Sequence, residues 1–179
     1  MVTVSDNQVF VRPVRDEDLV AVAAIHRYYI EDTIICVPET ERTATQWQEL
    51  VESLRARHLP FLVAEQEGTV GYAYVHPWKP GPSYRHTGEV TIYLAPEHTD
   101  QRVGEALMNP LIVASEEAGI TQLLGSVVQT TAAPRTGAFG RRYGFEECGT
   151  LHKVGQKHGQ WLDLLLYQRH LTQPSASDS

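Results

Sequence analysis

Residues 101–106, Gln-Arg-Val-Gly-Glu-Ala, join a β-branched apolar stretch to a stretch whose apolar residues have helical spacing. The N–H groups in the first turn of a helix point out of its N-terminal end and attract anions. Gly104 has no side chain, so an anion can approach this backbone closely. The segment therefore predicts a site for a group such as a pyrophosphate. A glycine that only forms a turn is the alternative interpretation.

Other kinds of site are not indicated by the spacing of reactive residues. No Gly-Lys-Ser/Thr follows Gly104, as in a triphosphate-binding loop, and no further glycine pattern forms a dinucleotide fingerprint. Cys36 and Cys148 are far apart in sequence, which favours two reduced, buried thiols over a disulfide. His152 and His158 do not have metal-ligand spacing with carboxylates, so we predict no metal.

The charge of the chain bears on the kind of partner. The formal net charge is −7, which disfavours general binding to nucleic acid. Residues 135–170 nonetheless contain more basic than acidic residues, and this suits either an anionic small ligand or an exposed face with mixed charges. The longest apolar run, residues 19–25, is too short for a membrane helix, and the N-terminus lacks a basic targeting region. We therefore expect a soluble, cytoplasmic protein.

The 179 residues, of which 42% are hydrophobic, suit one domain that spans residues 8–171, with a disordered tail at 172–179. Hydrophobic periodicity predicts the element order β-α-α-β-β-β-α-β-α-β-β. We expect an α+β domain whose central, mixed and mostly antiparallel sheet is flanked by helices. The expected strands are 9–14, 61–66, 69–75, 89–95, 123–128, 145–151 and 161–167, and the expected helices are 16–31, 45–54, 104–118 and 136–143.

Short-range signals predict where the first elements begin and end. Asp16 is expected to cap the first helix, and Thr45 and Gln48 have capping-box spacing at the start of the second. Residues 32–44 and 76–86 lack a period and contain prolines, so both are expected to be loops.

This order of elements, with Gln-x-x-Gly-x-Ala before one helix and Tyr-Gly-Phe at the end of a later one, resembles the GNAT superfamily of acetyltransferases. Within that superfamily the chain resembles the phosphinothricin N-acetyltransferase group through separated motifs over about residues 9–171. The motifs are Pro77-Trp78-Lys79, Tyr84-x-x-Thr87-x-Glu89, Gly155-x-Lys157-x-Gly159-x-Trp161-x-Asp163 and an early Tyr29-Ile30-Glu31-Asp32-Thr33.

The resemblance implies transfer of an acetyl group from acetyl-CoA to the amine of a small amino-acid-like substrate, by direct attack on the thioester. Glu89 is then the general base that takes the proton from the ammonium, because it begins the strand that leads to the cofactor loop. Tyr84, Thr87 and Tyr93 complete the motif around it. Taken without the resemblance, a carboxylate at the start of a strand is more often a solvated surface group.

The resemblance also implies that acetyl-CoA is held mainly by main-chain N–H groups. The amides of Leu94 and Ala95 are expected to bind the thioester oxygen where the sheet splays, and those of residues 103–106 are expected to bind the pyrophosphate. The expected cofactor-binding residues are Tyr93, Leu94, Ala95, Gln101, Arg102, Val103, Gly104, Glu105 and Ala106.

For the acceptor, the resemblance implies a pocket with aromatic walls and a cation for an acid group. Lys79, Arg85 or His86 is the expected cation. Either this pocket or a dimer contact is expected to include Lys157, His158 and Trp161. A homodimer is expected because relatives form one. The expected substrate-binding residues are Tyr29, Trp78, Lys79, Tyr84, Thr87 and Lys157.

Four positions depart from the family pattern. Ala133 replaces an Asn that binds the pantetheine side of the cofactor, and Gly140 replaces a His near the leaving sulfur. Asp100 and Glu105 put carboxylates beside the expected pyrophosphate, although Glu105 also suits the first turn of a helix. A second hypothesis therefore stays open, in which the fold is kept but the protein only binds a ligand or uses another donor. A third, an interaction domain, rests only on the apolar run 164–167, which is better explained as a central or dimer-facing strand.

Overall fold

The computed structural model of the protein describes residues 8–35, 40–99, 101–130 and 134–172. The predicted tail, apart from residue 172, and Cys36 lie outside these ranges. Cys148, which we expected to be buried, is exposed. The strands are β1 Phe10–Pro13, β2 Phe61–Glu65, β3 Thr69–Pro77, β4 Thr87–Leu94, β5 Gln122–Val128, β6 Glu146–Lys157 and β7 Gln160–His170. The helices are α1 Leu19–Glu31, α2 Ala44–Ala56, α3 Gln101–Glu117 and α4 Pro134–Arg142. The predicted element order and the α+β class are confirmed.

The seven strands form one mixed sheet in the order β1-β2-β3-β4-β5-β7-β6. Neighbouring strands are antiparallel except for β4 and β5, which are parallel. That parallel ladder pairs only three residues of each strand, from Thr87 with Gln122 to Glu89 with Leu124. Because both strands continue for several residues beyond this ladder, they separate after Glu89 and leave an opening in the middle of the sheet.

Two helix starts lie close to the predicted positions but use other residues. At α2, the Gln46 N–H donates to Thr43 Oγ1 at 3.2 Å, and the Thr43 N–H donates to Gln46 Oε1 at 2.8 Å. The predicted capping box at Thr45 and Gln48 is therefore wrong, since both residues lie inside α2. Asp16 does not cap α1 but begins a short 3-10 turn that precedes it.

The two faces of the sheet pack against different helices. On β3, the ring of Tyr72 contacts Trp47 of α2, whereas the neighbouring Gly71 lies against Val103 of α3. Because side chains alternate along a strand, even-numbered residues of β3 face α1 and α2, and odd-numbered residues face α3. Residues 70–75 are all buried as a result. None of the helices in the described part of the chain is long and apolar enough to cross a bilayer.

Candidate active site

The opening between β4 and β5 exposes main-chain groups of β4. The Ala95 N–H donates to the Val70 carbonyl oxygen of β3 at 2.9 Å. Since these directions alternate along a strand, the N–H and C=O of Leu94 turn away from β3 and toward the opening. The Leu94 carbonyl accepts a 2.7 Å hydrogen bond from the Tyr29 hydroxyl, whereas the Leu94 N–H faces the opening. The Ala95 N–H, expected to bind the same ligand oxygen, instead serves the ladder with β3.

The N-terminal end of α3 lies three residues earlier than predicted. The helix begins at Gln101, so the described N–H groups that point out of its end belong to residues 101–103. The N–H groups of Gly104, Glu105 and Ala106 lie within the helix, where they bond to carbonyls of the preceding turn. The expected pyrophosphate donors are corrected accordingly.

Two contacts bring α4 against this end of α3. A Cβ added at Gly104 would lie 3.2 Å from the ring of Phe139, so the glycine allows the two helices to pack closely. Next to it, the Glu105 carboxylate pairs with Arg142 at the end of α4. This ion pair offsets the negative charge that Glu105 brings near the expected pyrophosphate.

The other departures from the family pattern are placed as follows. Gly140 lies in α4, and a Cβ added there would meet the Cβ of Phe145 at 3.6 Å. A glycine at this position supplies no proton to a leaving sulfur. Asp100 and Ala133 lie outside the described residues.

A cavity of about 210 Å³, here called the central cavity, lies over the sheet face that α1 and α2 cover, with Glu89 in its wall. The Glu89 side chain is 24% exposed, and its Oε1 accepts a 2.5 Å hydrogen bond from Ser126 Oγ. Its Oε2 lies 3.9 Å from His76 Nε2. The carboxylate thus lies where β4 and β5 begin to separate. The cavity is lined by His26, Ile35, Arg42, Tyr74, His76, Glu89, Thr91, Tyr93, Ser126, Val128 and Leu164.

A buried histidine forms part of the cavity wall, and its environment keeps the ring neutral. His26 Nδ1 lies 2.9 Å from Tyr72 Oη, and the ring meets Trp47 and Tyr93 edge to face. Burial, with a smaller effect from the positive charge of Arg42, lowers the pKa of His26 to about 4. At neutral pH, His26 therefore adds no positive charge to the cavity.

The predicted acceptor residues lie elsewhere. Trp78 and Tyr84 pack edge to face, with 5.3 Å between ring centroids, and Lys79 Nζ lies 4.2 Å from the Trp78 centroid. Lys157 is 1% exposed, and its ammonium donates to the Tyr29 carbonyl oxygen at 3.1 Å. Over the described ranges, none of the six predicted acceptor residues, Thr87 included, lines the central cavity.

The residues that sequence reasoning missed come together through strand register. Tyr74 and His76 share the sheet face of Glu89, and the register pairs His76 directly with Glu89. Strand alternation on either side of Glu89 is the signal that could have found them. Arg42 and Ser126 come from distant segments, and no local pattern indicates them.

A second hollow, of about 360 Å³, lies beside the turn between β2 and β3. It is lined by residues 66–70, Glu97 and His98, which include none of the predicted site residues. Within the described part of the chain, no three His, Cys, Asp or Glu side chains come together as a metal site requires.

Comparisons with known proteins identify the family and the fold of the chain. Residues 11–166 match the model of the acetyltransferase (GNAT) domain family. The chain is 35% identical to phosphinothricin N-acetyltransferase of Alcaligenes faecalis, over 90% of this chain and 82% of that protein. The crystal structure of a ribosomal-protein-alanine N-acetyltransferase from Brucella melitensis has a TM-score of 0.85 at 36% identity, covering 90% of this chain and 99% of that one. A phosphinothricin acetyltransferase from Sinorhizobium meliloti, in complex with AcCoA, has a TM-score of 0.85 at 28% identity, covering 95% and 92%.

Proposed function

We propose, from the fact that this chain belongs to the acetyltransferase (GNAT) domain family, that it moves the acetyl group of acetyl-CoA to the primary amine of a small amino-acid-like substrate. Glu89 is the general base. The observation that carries this proposal is the position of the Glu89 carboxylate where β4 and β5 separate, on the strand whose Leu94 N–H faces the opening.

Two sets of main-chain donors support acetyl-CoA, which supplies the acetyl thioester, as the cosubstrate. The Leu94 N–H is directed into the opening, where a thioester oxygen would accept it. Residues 101–103 turn their N–H groups out of the end of α3, as binding of a pyrophosphate requires. The AcCoA complex of the similar Sinorhizobium meliloti enzyme supports the same assignment.

In the proposed reaction, Glu89 takes one proton from the substrate ammonium and so frees the nitrogen lone pair. That nitrogen attacks the thioester carbonyl, a C–N bond forms, and the C–S bond breaks. The Leu94 N–H stabilises the negative charge that develops on the carbonyl oxygen. CoA leaves as a thiolate, the nitrogen of the new amide loses its second proton to water, and the thiolate takes up one proton from water. Ser126 donates to Glu89 Oε1 and thereby orients the carboxylate.

The proposed acceptor is a compact amino acid or a close analogue. A central cavity of about 210 Å³ suits a small polar molecule rather than an extended chain. The Alcaligenes faecalis relative is named for phosphinothricin, which is an amino acid analogue. Because acetyl-CoA is a cytoplasmic metabolite, we assign the reaction to the cytoplasm.

We also propose that two copies of the chain associate through the β6–β7 hairpin. β6 is an edge strand of the sheet. On this hairpin Leu151, Val154 and Trp161 are 43%, 52% and 60% exposed, and such a group of apolar side chains at an edge is typical of an interface. Sedimentation at several concentrations tests this proposal, and a monomer at all of them would contradict it.

The experiment on function measures binding and reaction separately. We expect titration calorimetry with acetyl-CoA to give micromolar or tighter binding, and release of the CoA thiol to occur with L-phosphinothricin or free amino acids. A peptide that begins with alanine is the comparison acceptor and is expected to react far more slowly. Binding of acetyl-CoA without thiol release from any amine would contradict the reaction. Absence of binding would favour the alternative in which the fold is kept without the chemistry, which the glycine at position 140 supports.

A further inference from the structure

Arg42 brings a positive charge into the central cavity, whose wall also contains the Glu89 carboxylate. It stands directly before Thr43, whose capping box determines the start of α2. Its guanidinium lies over the Trp47 ring, 4.9 Å from the centroid. The main chain before α2 and the contact with Trp47 therefore both hold the cation at the cavity.

Arg42 has no acidic partner among the described residues. The adjacent Glu41 is already paired, with Arg27 at 2.7 Å, and none of the ion pairs in the described ranges includes Arg42. The residue is half-buried. A guanidinium that is partly removed from water is costly unless a counter-charge accompanies it, and a ligand in the cavity can supply that charge.

The cations predicted from the sequence to bind an acid group are engaged away from the cavity. Lys79 lies against the ring of Trp78. Arg85 and His86 each have a side-chain nitrogen within 3.0 Å of a main-chain carbonyl oxygen. None of these three lines the central cavity, whereas Arg42 does.

We propose that Arg42 binds the carboxylate of the acceptor, so that the ammonium of the same molecule faces Glu89 across the cavity. An α-amino acid carries both charges at neutral pH, and it is complementary to a wall that presents both signs. Arg42 is then a specificity residue that selects amines with an acid group. The inference rests on the proposed function for the role of Glu89, but the contact with the carboxylate is measurable by binding alone.

The test compares two ligands that differ only in the acid group, L-methionine sulfone and its α-carboxamide. For the wild type and each variant, kcat/KM for the acid is divided by kcat/KM for the amide. The two ligands differ in the pKa of their ammonium groups, but this difference affects every enzyme equally and therefore cancels when the ratios are compared. Arg42→Gln is expected to lower this ratio about 10- to 100-fold, mainly through KM for the acid. Arg42→Met keeps a contact with Trp47 and is expected to act alike. Arg55→Gln, an exposed arginine at the other end of α2, is the matched control and should leave the ratio unchanged.

Calorimetric binding of both ligands to the CoA-loaded protein separates this inference from the proposed function. Binding of the acid that depends on Arg42, without turnover of either ligand, would support the contact and contradict the reaction. Turnover with an unchanged ratio in both Arg42 variants would contradict the contact and leave the reaction standing. A wild-type protein that binds acid and amide equally would also overturn the inference.

Discussion

Replacement of Glu89 by Gln removes the proposed base while it keeps the shape of the side chain. The Gln oxygen can still accept the hydrogen bond that Ser126 donates to Glu89 Oε1. The distance from Glu89 Oε2 to His76 Nε2 is long, at 3.9 Å, and both side chains are partly exposed, so this contact contributes little to stability. We therefore expect the free energy of unfolding to change by less than about 1 kcal/mol.

Activity should respond very differently. Loss of a positioned general base typically lowers the rate by about 10²- to 10⁴-fold, which raises the barrier by about 2.7 to 5.4 kcal/mol. The assay is kcat/KM for release of the CoA thiol, with denaturant unfolding of the same samples. Glu117→Gln, an exposed carboxylate on α3, is the control and should match the wild type in both measurements.

The pH dependence distinguishes a base from a residue that only holds the substrate. Above the pKa of the substrate ammonium the amine is already free, so it no longer needs Glu89 to remove its proton. The deficit of Glu89→Gln should therefore shrink as the pH rises through that value. A variant that keeps kcat/KM within about threefold of the wild type at neutral pH, or a deficit that does not change with pH, would refute this reasoning.

Two further predictions concern stability. A Cβ added at Gly88 would lie 2.3 Å from Cγ1 of the fully buried Val75, so Gly88→Ala should lose about 1 to 3 kcal/mol of unfolding free energy in urea. In Gly125→Ala nothing lies within 4 Å of the new Cβ, and equal losses in the two variants would contradict the packing argument. The pKa of His26 is about 4 in the folded protein and 6.5 when unfolded, so the unfolded state binds more protons between these values. The contribution of His26 to the free energy of unfolding is therefore fully present above pH 6.5, and this free energy should be lower by about 2 kcal/mol at pH 5. In His26→Gln, urea unfolding at pH 7 and at pH 5 should no longer show that difference.

The sequence predicted the fold class and the element order because both depend on local patterns. Alternating apolar residues and helical spacing each reflect burial on one face, and those patterns are read within a few residues. The same dependence on local patterns explains why the start of the second helix was predicted at the wrong residues. Thr45 and Gln48 have the same residue types and spacing as Thr43 and Gln46, and a local signal does not distinguish between them.

The candidate site was predicted only in part. The motif Tyr84-x-x-Thr87-x-Glu89 indicated Glu89, whose carboxylate lies in the wall of the central cavity. The same motif also suggested Tyr84, which packs with Trp78 and does not line that cavity. A motif identifies residues that lie near one another in the chain. Such residues can still have side chains in different surroundings, as Tyr84 does in the connection before β4 and Glu89 does on that strand.

The sequence by itself determined the fold and the chemistry of this protein in outline. It indicated seven strands and four helices, a carboxylate on the fourth strand, and main-chain donors at the start of a helix. Only the tertiary structure decided which side chains surround that carboxylate. His76 reaches Glu89 through the register of β3 with β4, Ser126 through the parallel pairing of β5, and Arg42 through the packing of α2 over the sheet. Register and packing follow from contacts between residues far apart in the chain, so no local pattern of residues contains them.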